Sequence, residues 1–70
     1  MTAIDKYLRW EDENQQSRVF LGNLCVGRVW WSDGKWHTKR YMDHAKGEHP
    51  SRFEAQECLA TEIANLIGVG

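Results

Sequence analysis

The amino-acid sequence predicts an α+β domain in which an antiparallel sheet of three or four strands is followed by one C-terminal helix packed across it. Three observations carry this. Asp33-Gly34 separates two aromatic, strand-forming arms; it is the strongest short-range hairpin signal, because Gly takes the positive φ of a type I′ turn and Asp tolerates it. Gly22-Asn23 marks a second tight turn between apolar runs. From Ser51 onward, Ala55, Cys58, Leu59, Ile63, Leu66 and Ile67 recur at three-and-four spacing, the stripe of an amphipathic helix.

Taken in order, residues 2 to 10 read two ways. Ile4, Tyr7 and Leu8 have helical spacing behind Thr2, whereas residues 7 to 10 alternate as a strand. We adopt the strand, at about 6 to 11. Residues 12 to 17 are polar and read as a loop. Strands at 18 to 21, 24 to 31 and 36 to 42 follow. With Asp33 and Gly34 at the turn centre, Trp31 lies opposite Trp36, Trp30 opposite His37, Val29 opposite Thr38 and Arg28 opposite Lys39. Alternation then puts Cys25, Gly27, Val29, Trp31, Trp36, Thr38 and Met42 on one face, with Val26, Arg28, Trp30, His37, Lys39 and Tyr41 on the other. A bulge at Gly27 would exchange the faces of the residues before it.

Residues 43 to 50 read as a loop. Ser51-Arg52-Phe53-Glu54 is a capping box opening a helix at about 52 to 67, and Gly68 is placed to end it. Glu57, Thr61, Glu62 and Asn65 fall off the apolar stripe, which is expected to pack on the Val29, Trp31 and Trp36 face.

Seventy residues make a single domain spanning 1 to 70, since a chain this short buries only about 60% of its unfolded surface and cannot fill two cores. Nine Lys and Arg stand against ten Asp and Glu, a net charge of −1, so no global basic field draws the chain to nucleic acid. The charge is nevertheless segregated, acidic at 11 to 13 and basic at 35 to 40. Four Trp, two Tyr and two Phe suit a small core in which a few rings supply most of the burial. With no apolar run of signal-peptide or membrane-spanning length, the expected setting is cytoplasmic. Cys25 and Cys58 are then expected to be free thiols acting as small hydrophobes, with a disulfide or metal role as the alternative.

Neighbouring side chains of a strand point to opposite faces, so Trp30 and Trp31 cannot both meet the helix. The second face therefore carries the candidate partner-binding residues, Arg28, Trp30, His37, Lys39 and Tyr41. An exposed aromatic patch on a small protein suits a protein partner or self-association. The same rings beside positive charge also suit stacked bases and phosphates, which makes nucleic acid the alternative partner. A plainer reading covers Trp30 with the segment around Tyr7 and Trp10 and leaves the charges as a solvated rim. No Ser or Cys sits in a nucleophile setting, and Asp12 with Glu13, or Glu54 with Glu57, read as surface charge. The expectation is a non-enzymatic binding module without cofactor. Asp43, His44, Glu48 and His49 are competent ligand types but match no strong zinc spacing, so no metal is expected.

The order Val26-Gly27-Arg28-Val29, Asp33-Gly34-Lys35-Trp36 and Phe53-Glu54-Ala55-Gln56-Glu57, over about residues 18 to 67, resembles many small uncharacterised proteins of bacteriophages and prophages. That resemblance implies an accessory protein of viral or mobile-element type and transfers no functional residue. Three strands followed by a helix is also similar to the plant AP2 domain and to the arm-binding domain of phage integrases, whose sheets enter the DNA major groove. Here only Arg18, Arg28 and Arg40 lie on those three strands, short of the dense arginines of those sheets. Ser51-Arg52-Phe53-Glu54-Ala55 resembles the start of the second helix of double-stranded RNA-binding domains. Phe53 replaces a phosphate-contacting lysine there, and the helix is otherwise acidic.

Overall fold

In the computed structural model, which describes residues 8 to 68, the chain runs through five strands and then one helix. These are β1 (Leu8–Asp12), β2 (Gln16–Leu21), β3 (Leu24–Ser32), β4 (Lys35–Arg40), β5 (Lys46–His49) and α1 (Arg52–Ile67). The strands pair antiparallel in the order β1-β2-β3-β4-β5, a simple meander. The α+β class and the C-terminal helix are as expected; the sheet has five strands where three or four were predicted.

The turns follow the local chemistry. Asp33 and Gly34 both have positive φ, 54° and 76°, which is the type I′ geometry. This fixes Trp31 opposite Trp36, Trp30 opposite His37, Val29 opposite Thr38 and Arg28 opposite Lys39, the register read from the sequence. At Gly22-Asn23 only Gly22 has positive φ, the type II′ pattern.

The additional strand is β5, within residues 43 to 50 that read as a loop. Lys46-Gly47-Glu48-His49 has no β-branched residue, so its strand state comes from pairing with β4 rather than from propensity. A built turn delivers it. Arg40 N–H donates to Ala45 O at 2.8 Å, the Asp43 carboxylate accepts Ala45 N–H and the Arg40 guanidinium, and His44 takes positive φ. Consequently β4 stops at Arg40, two residues early. Met42, expected on the helix face, lies exposed in that turn.

The core forms between α1 and one face of the sheet. Val19, Val26, Val29, Ala55, Leu59 and Ile63 are buried, with Leu8, Trp10, Leu21, Trp36 and Ile67 packed around them. Burying each of the Val, Leu and Ile side chains contributes about 1.5 to 3 kcal/mol. Two face assignments are corrected by a bulge. The register slips between Val19↔Gly27 and Phe20↔Cys25, so Val26 becomes the extra residue and turns into the core at 2% exposure, while Cys25 moves to the opposite face beside Phe20. On the helix, Leu66 is 49% exposed and Ala64 is buried instead. The covered side of the last turn thus differs from the stripe that the spacing predicts.

The helix begins where predicted. Ser51 Oγ accepts the N–H of Glu54 at 3.2 Å, one half of the capping box; no reciprocal bond from the Glu54 carboxylate forms among the described residues. Gly68 closes the helix with φ 77° and donates its N–H to Ala64 O. The helix is tied to the β1–β2 turn as well. Buried Ser17 donates its hydroxyl to Asp12 Oδ1 at 2.7 Å, and Gln56 Nε2 donates to the same oxygen at 2.8 Å. No described helix is long and apolar enough to cross a membrane.

Candidate functional site

Antiparallel pairing sets directly opposite residues on the same face of a sheet, so register alone assembles rows that run across the strands. On the face away from α1, one row reads Glu11, Arg18, Arg28, Lys39, Lys46. Four cations stand side by side on four consecutive strands. With strands 4.7 to 4.9 Å apart, this row spans roughly 14 Å. The next row reads Gln16, Trp30, His37, Glu48. On the other flank lie Arg9, Phe20 and Cys25.

The cations differ in how they are held. Arg9 pairs with Glu11 at 2.6 Å, and Arg18 reaches Glu11 and Glu13 at 3.3 and 3.2 Å. Arg28, Lys39 and Lys46 have no carboxylate partner among the described residues. The Arg28 guanidinium lies 4.4 Å from the centre of the Trp30 ring, a cation–π contact. His37 stacks on the same indole, centroids 5.5 Å apart and planes 20° from parallel. Its Nε2 lies 2.9 Å from Ser32 O; a carbonyl only accepts, so this nitrogen carries the proton. Arg18 and Arg28 each keep a buried Nε with no hydrogen-bond acceptor among the described residues. Open clefts of about 330 and 340 Å³ flank Trp30, one lined by His37, Lys46 and Glu48, the other by Gln16, Arg28 and Trp31.

Of the five candidate residues, Arg28, Trp30, His37 and Lys39 come together on this face. Tyr41 does not join them on a strand: it lies in the turn after β4, exposed, with its N–H bonded to Val26 O at 3.0 Å. Sequence reasoning missed Arg18 and Lys46. Arg18 was within reach, because the Gly22-Asn23 turn and the bulge at Gly27 together set it opposite Arg28. Lys46 was not, since its place depends on β5. The proposed cover over Trp30 is also corrected in part. Trp10 pairs with Val19 and packs in the core on the helix side; Tyr7 lies outside the described residues.

Trp31 departs from the expected inward burial. It shares the helix-side face with Trp36, 5.6 Å away and tilted by 59°, yet it is 40% exposed. The helix begins over Trp36, where Arg52 lies 4.5 Å from the indole centre, and leaves Trp31 at the rim.

Elsewhere the side chains suit packing rather than chemistry. The Cys58 thiol contacts Glu62 at 3.3 Å, and its pKa is raised by burial first and by Glu62 next, the opposite of what a reactive thiolate needs. Cys25 and Cys58 are both free. Glu48 and His49 are consecutive on β5 and so point to opposite faces. Among the described residues no group of three His, Cys, Asp or Glu is placed to hold a metal ion.

Fold and face together define a small meander-and-helix module with one layer of packing on one side of its sheet and a basic, aromatic surface on the other. No protein-family model, curated protein or solved structure matches the chain.

Proposed function

We propose that this protein is a non-enzymatic binding module and that the sheet face opposite the helix takes an acidic partner. The row Arg18, Arg28, Lys39, Lys46 is the observation that supports it. Like charges directly opposite one another destabilise a sheet, and Arg28, Lys39 and Lys46 have no carboxylate among the described residues to offset it. An anion laid across them converts that repulsion into attraction. The near-neutral total hides this polarity, because α1 carries Glu54, Glu57 and Glu62 against Arg52 alone.

The sequence-based expectation of a protein partner or a second copy fits this surface when the partner presents carboxylates. The helix of a second copy does so. In keeping with the phage-type resemblance, the module is read as a cytoplasmic accessory protein. The test is nuclear magnetic resonance with a set of acidic polymers, polyglutamate and oligonucleotides among them, in low salt. Amide shifts clustered on Arg18, Arg28, Lys39 and Lys46 with at least one polymer are expected; if no polymer moves that row, this function is wrong.

A further inference from the structure

We propose that the acidic partner is a single-stranded nucleic acid, lying across the strands with its phosphates on Arg28, Lys39 and Lys46 and a base against Trp30. This rests on the binding-module reading above and names its ligand. Three observations single out this chemistry among polyanions.

The first is the alternation of rows. Along β3, Arg28 and Trp30 are two residues apart on one face, so the line of cations and the line of rings run side by side at about 7 Å. A nucleotide has that division built in, a charged backbone with a flat base to one side, and single-strand binders combine a cationic track with stacking rings. A run of carboxylates leaves the ring unused.

The second is the pair of guanidinium groups, Arg18 and Arg28, whose buried Nε atoms find no acceptor among the described residues. A buried donor left unsatisfied carries a desolvation cost. A phosphate oxygen at Arg28 supplies the acceptor, and the guanidinium fork matches phosphate geometry. Release of Arg28 from the indole at 4.4 Å would at the same time free ring surface for a base.

The third is size. Five strands in one sheet measure about 19 Å between the outer strands, whereas the major groove of duplex DNA is about 12 Å wide. The face is too broad to enter it, which separates this sheet from the groove-reading sheets of the AP2 type. An unstacked single strand meets a flat sheet without that limit.

The experiment follows the four indole N–H resonances and the amides of the full chain on addition of an eight-residue oligothymidylate, of the matching duplex and of polyglutamate. Three phosphate contacts predict a log–log salt slope of about −2, close to a twenty-fold loss of affinity from 50 to 200 mM salt. Lys39→Ala should lower the slope by about 0.7. Trp30→Leu should weaken oligothymidylate roughly ten-fold and leave polyglutamate unchanged, while Trp30→Phe keeps most of the affinity. Far-ultraviolet circular dichroism of each variant separates loss of fold from loss of contact. If polyglutamate moves the cation row and oligothymidylate does not, or if the two bind alike and Trp30→Leu affects neither, the nucleic-acid assignment is overturned and the binding-module reading stands. Tighter binding of the duplex overturns the assignment too. Silence from every polymer removes both.

Discussion

Leu59 occupies the space that Gly27 leaves open. A Cβ placed on Gly27 would lie 3.1 Å from Leu59 Cδ2, 3.1 Å from Val19 Cγ1 and 3.0 Å from the backbone oxygen of Lys39. The two side-chain atoms can shift a little; the β4 carbonyl is held by its ladder. The glycine in mid-strand is therefore a packing requirement of the helix, placed at the bulge that also turns Val26 inward.

Gly27→Ala should destabilise the domain by about 1 to 3 kcal/mol, the usual cost of overpacking a filled core. Leu59→Ala removes a side chain that is 1% exposed and should cost about 2 to 5 kcal/mol. The pair should cost less than the sum, since the smaller residue 59 relieves one of the three close contacts. Urea unfolding of the two single variants and the double variant measures this. A Gly27→Ala variant as stable as the parent would mean that the helix does not rely on this close approach.

Trp31 and Trp30 exchange the exposures that their faces suggest. Trp31, on the helix side, is 40% exposed, and Trp30, on the open side, is only half-buried beneath Arg28 and His37. Acrylamide should therefore quench Trp31 most readily. Replacing Trp31 with Phe should remove the most accessible component of the emission, whereas Trp30→Phe should leave it. The reverse result would place the accessible indole on the cation face.

These two residues also show how far the sequence could be read. Register across Asp33-Gly34 follows from turn chemistry, because a two-residue type I′ turn admits one pairing; Trp30↔His37 and Arg28↔Lys39 were legible for that reason. Val26 and Cys25 were not, since a one-residue bulge reverses every face before it and leaves no compositional mark beyond Gly27. Lys46 was hidden for a different reason. Its strand has no propensity of its own and exists because β4 offers an unpaired edge and Asp43 closes the turn. Half of the cation row could thus be placed from the Asp33-Gly34 hairpin alone, while Arg18 needed the bulge at Gly27 as well and Lys46 needed β5. Leu66 and Ala64 exchange roles in the last helical turn, for which the spacing gives no warning.

The turn that delivers β5 should be sensitive to acid. The Asp43 pKa is lowered, chiefly because its carboxylate accepts the Ala45 N–H; burial, the next influence, pushes it up, and the contacts with Arg40 lower it again. A carboxylate with a lowered pKa contributes stability that is complete above its ordinary value and is lost as pH falls through the lowered one. The protection of Ala45 N–H against hydrogen exchange, measured relative to the intrinsic rate at each pH, should fall in that acid range, and Asp43→Asn should abolish the pH dependence of the effect. A carboxyl carbon-13 titration of Asp43 at or above the ordinary carboxylate range would contradict this account.

Cys58 should be a slow thiol. Burial raises its pKa first and the neighbouring Glu62 carboxylate raises it further, with Arg40 acting weakly in the other direction. Because the neutral thiol is the favoured form in the folded chain, its contribution to stability is complete below the ordinary thiol value and declines as pH rises through the raised one. The thiolate is the species that reacts with alkylating agents. Iodoacetamide at mildly alkaline pH should thus label Cys58 more slowly in the native protein than in the chain unfolded in urea, as followed by peptide mass spectrometry. Glu62→Gln removes the carboxylate and keeps the shape, so it should recover part of the rate while leaving the portion set by burial. Arg40→Met should slow labelling further, since Arg40 favours the thiolate, and it also frees Glu62 from the 3.1 Å ion pair that now draws its charge away. Equal labelling rates in the native and unfolded chains would show that neither burial nor Glu62 protects this sulfur.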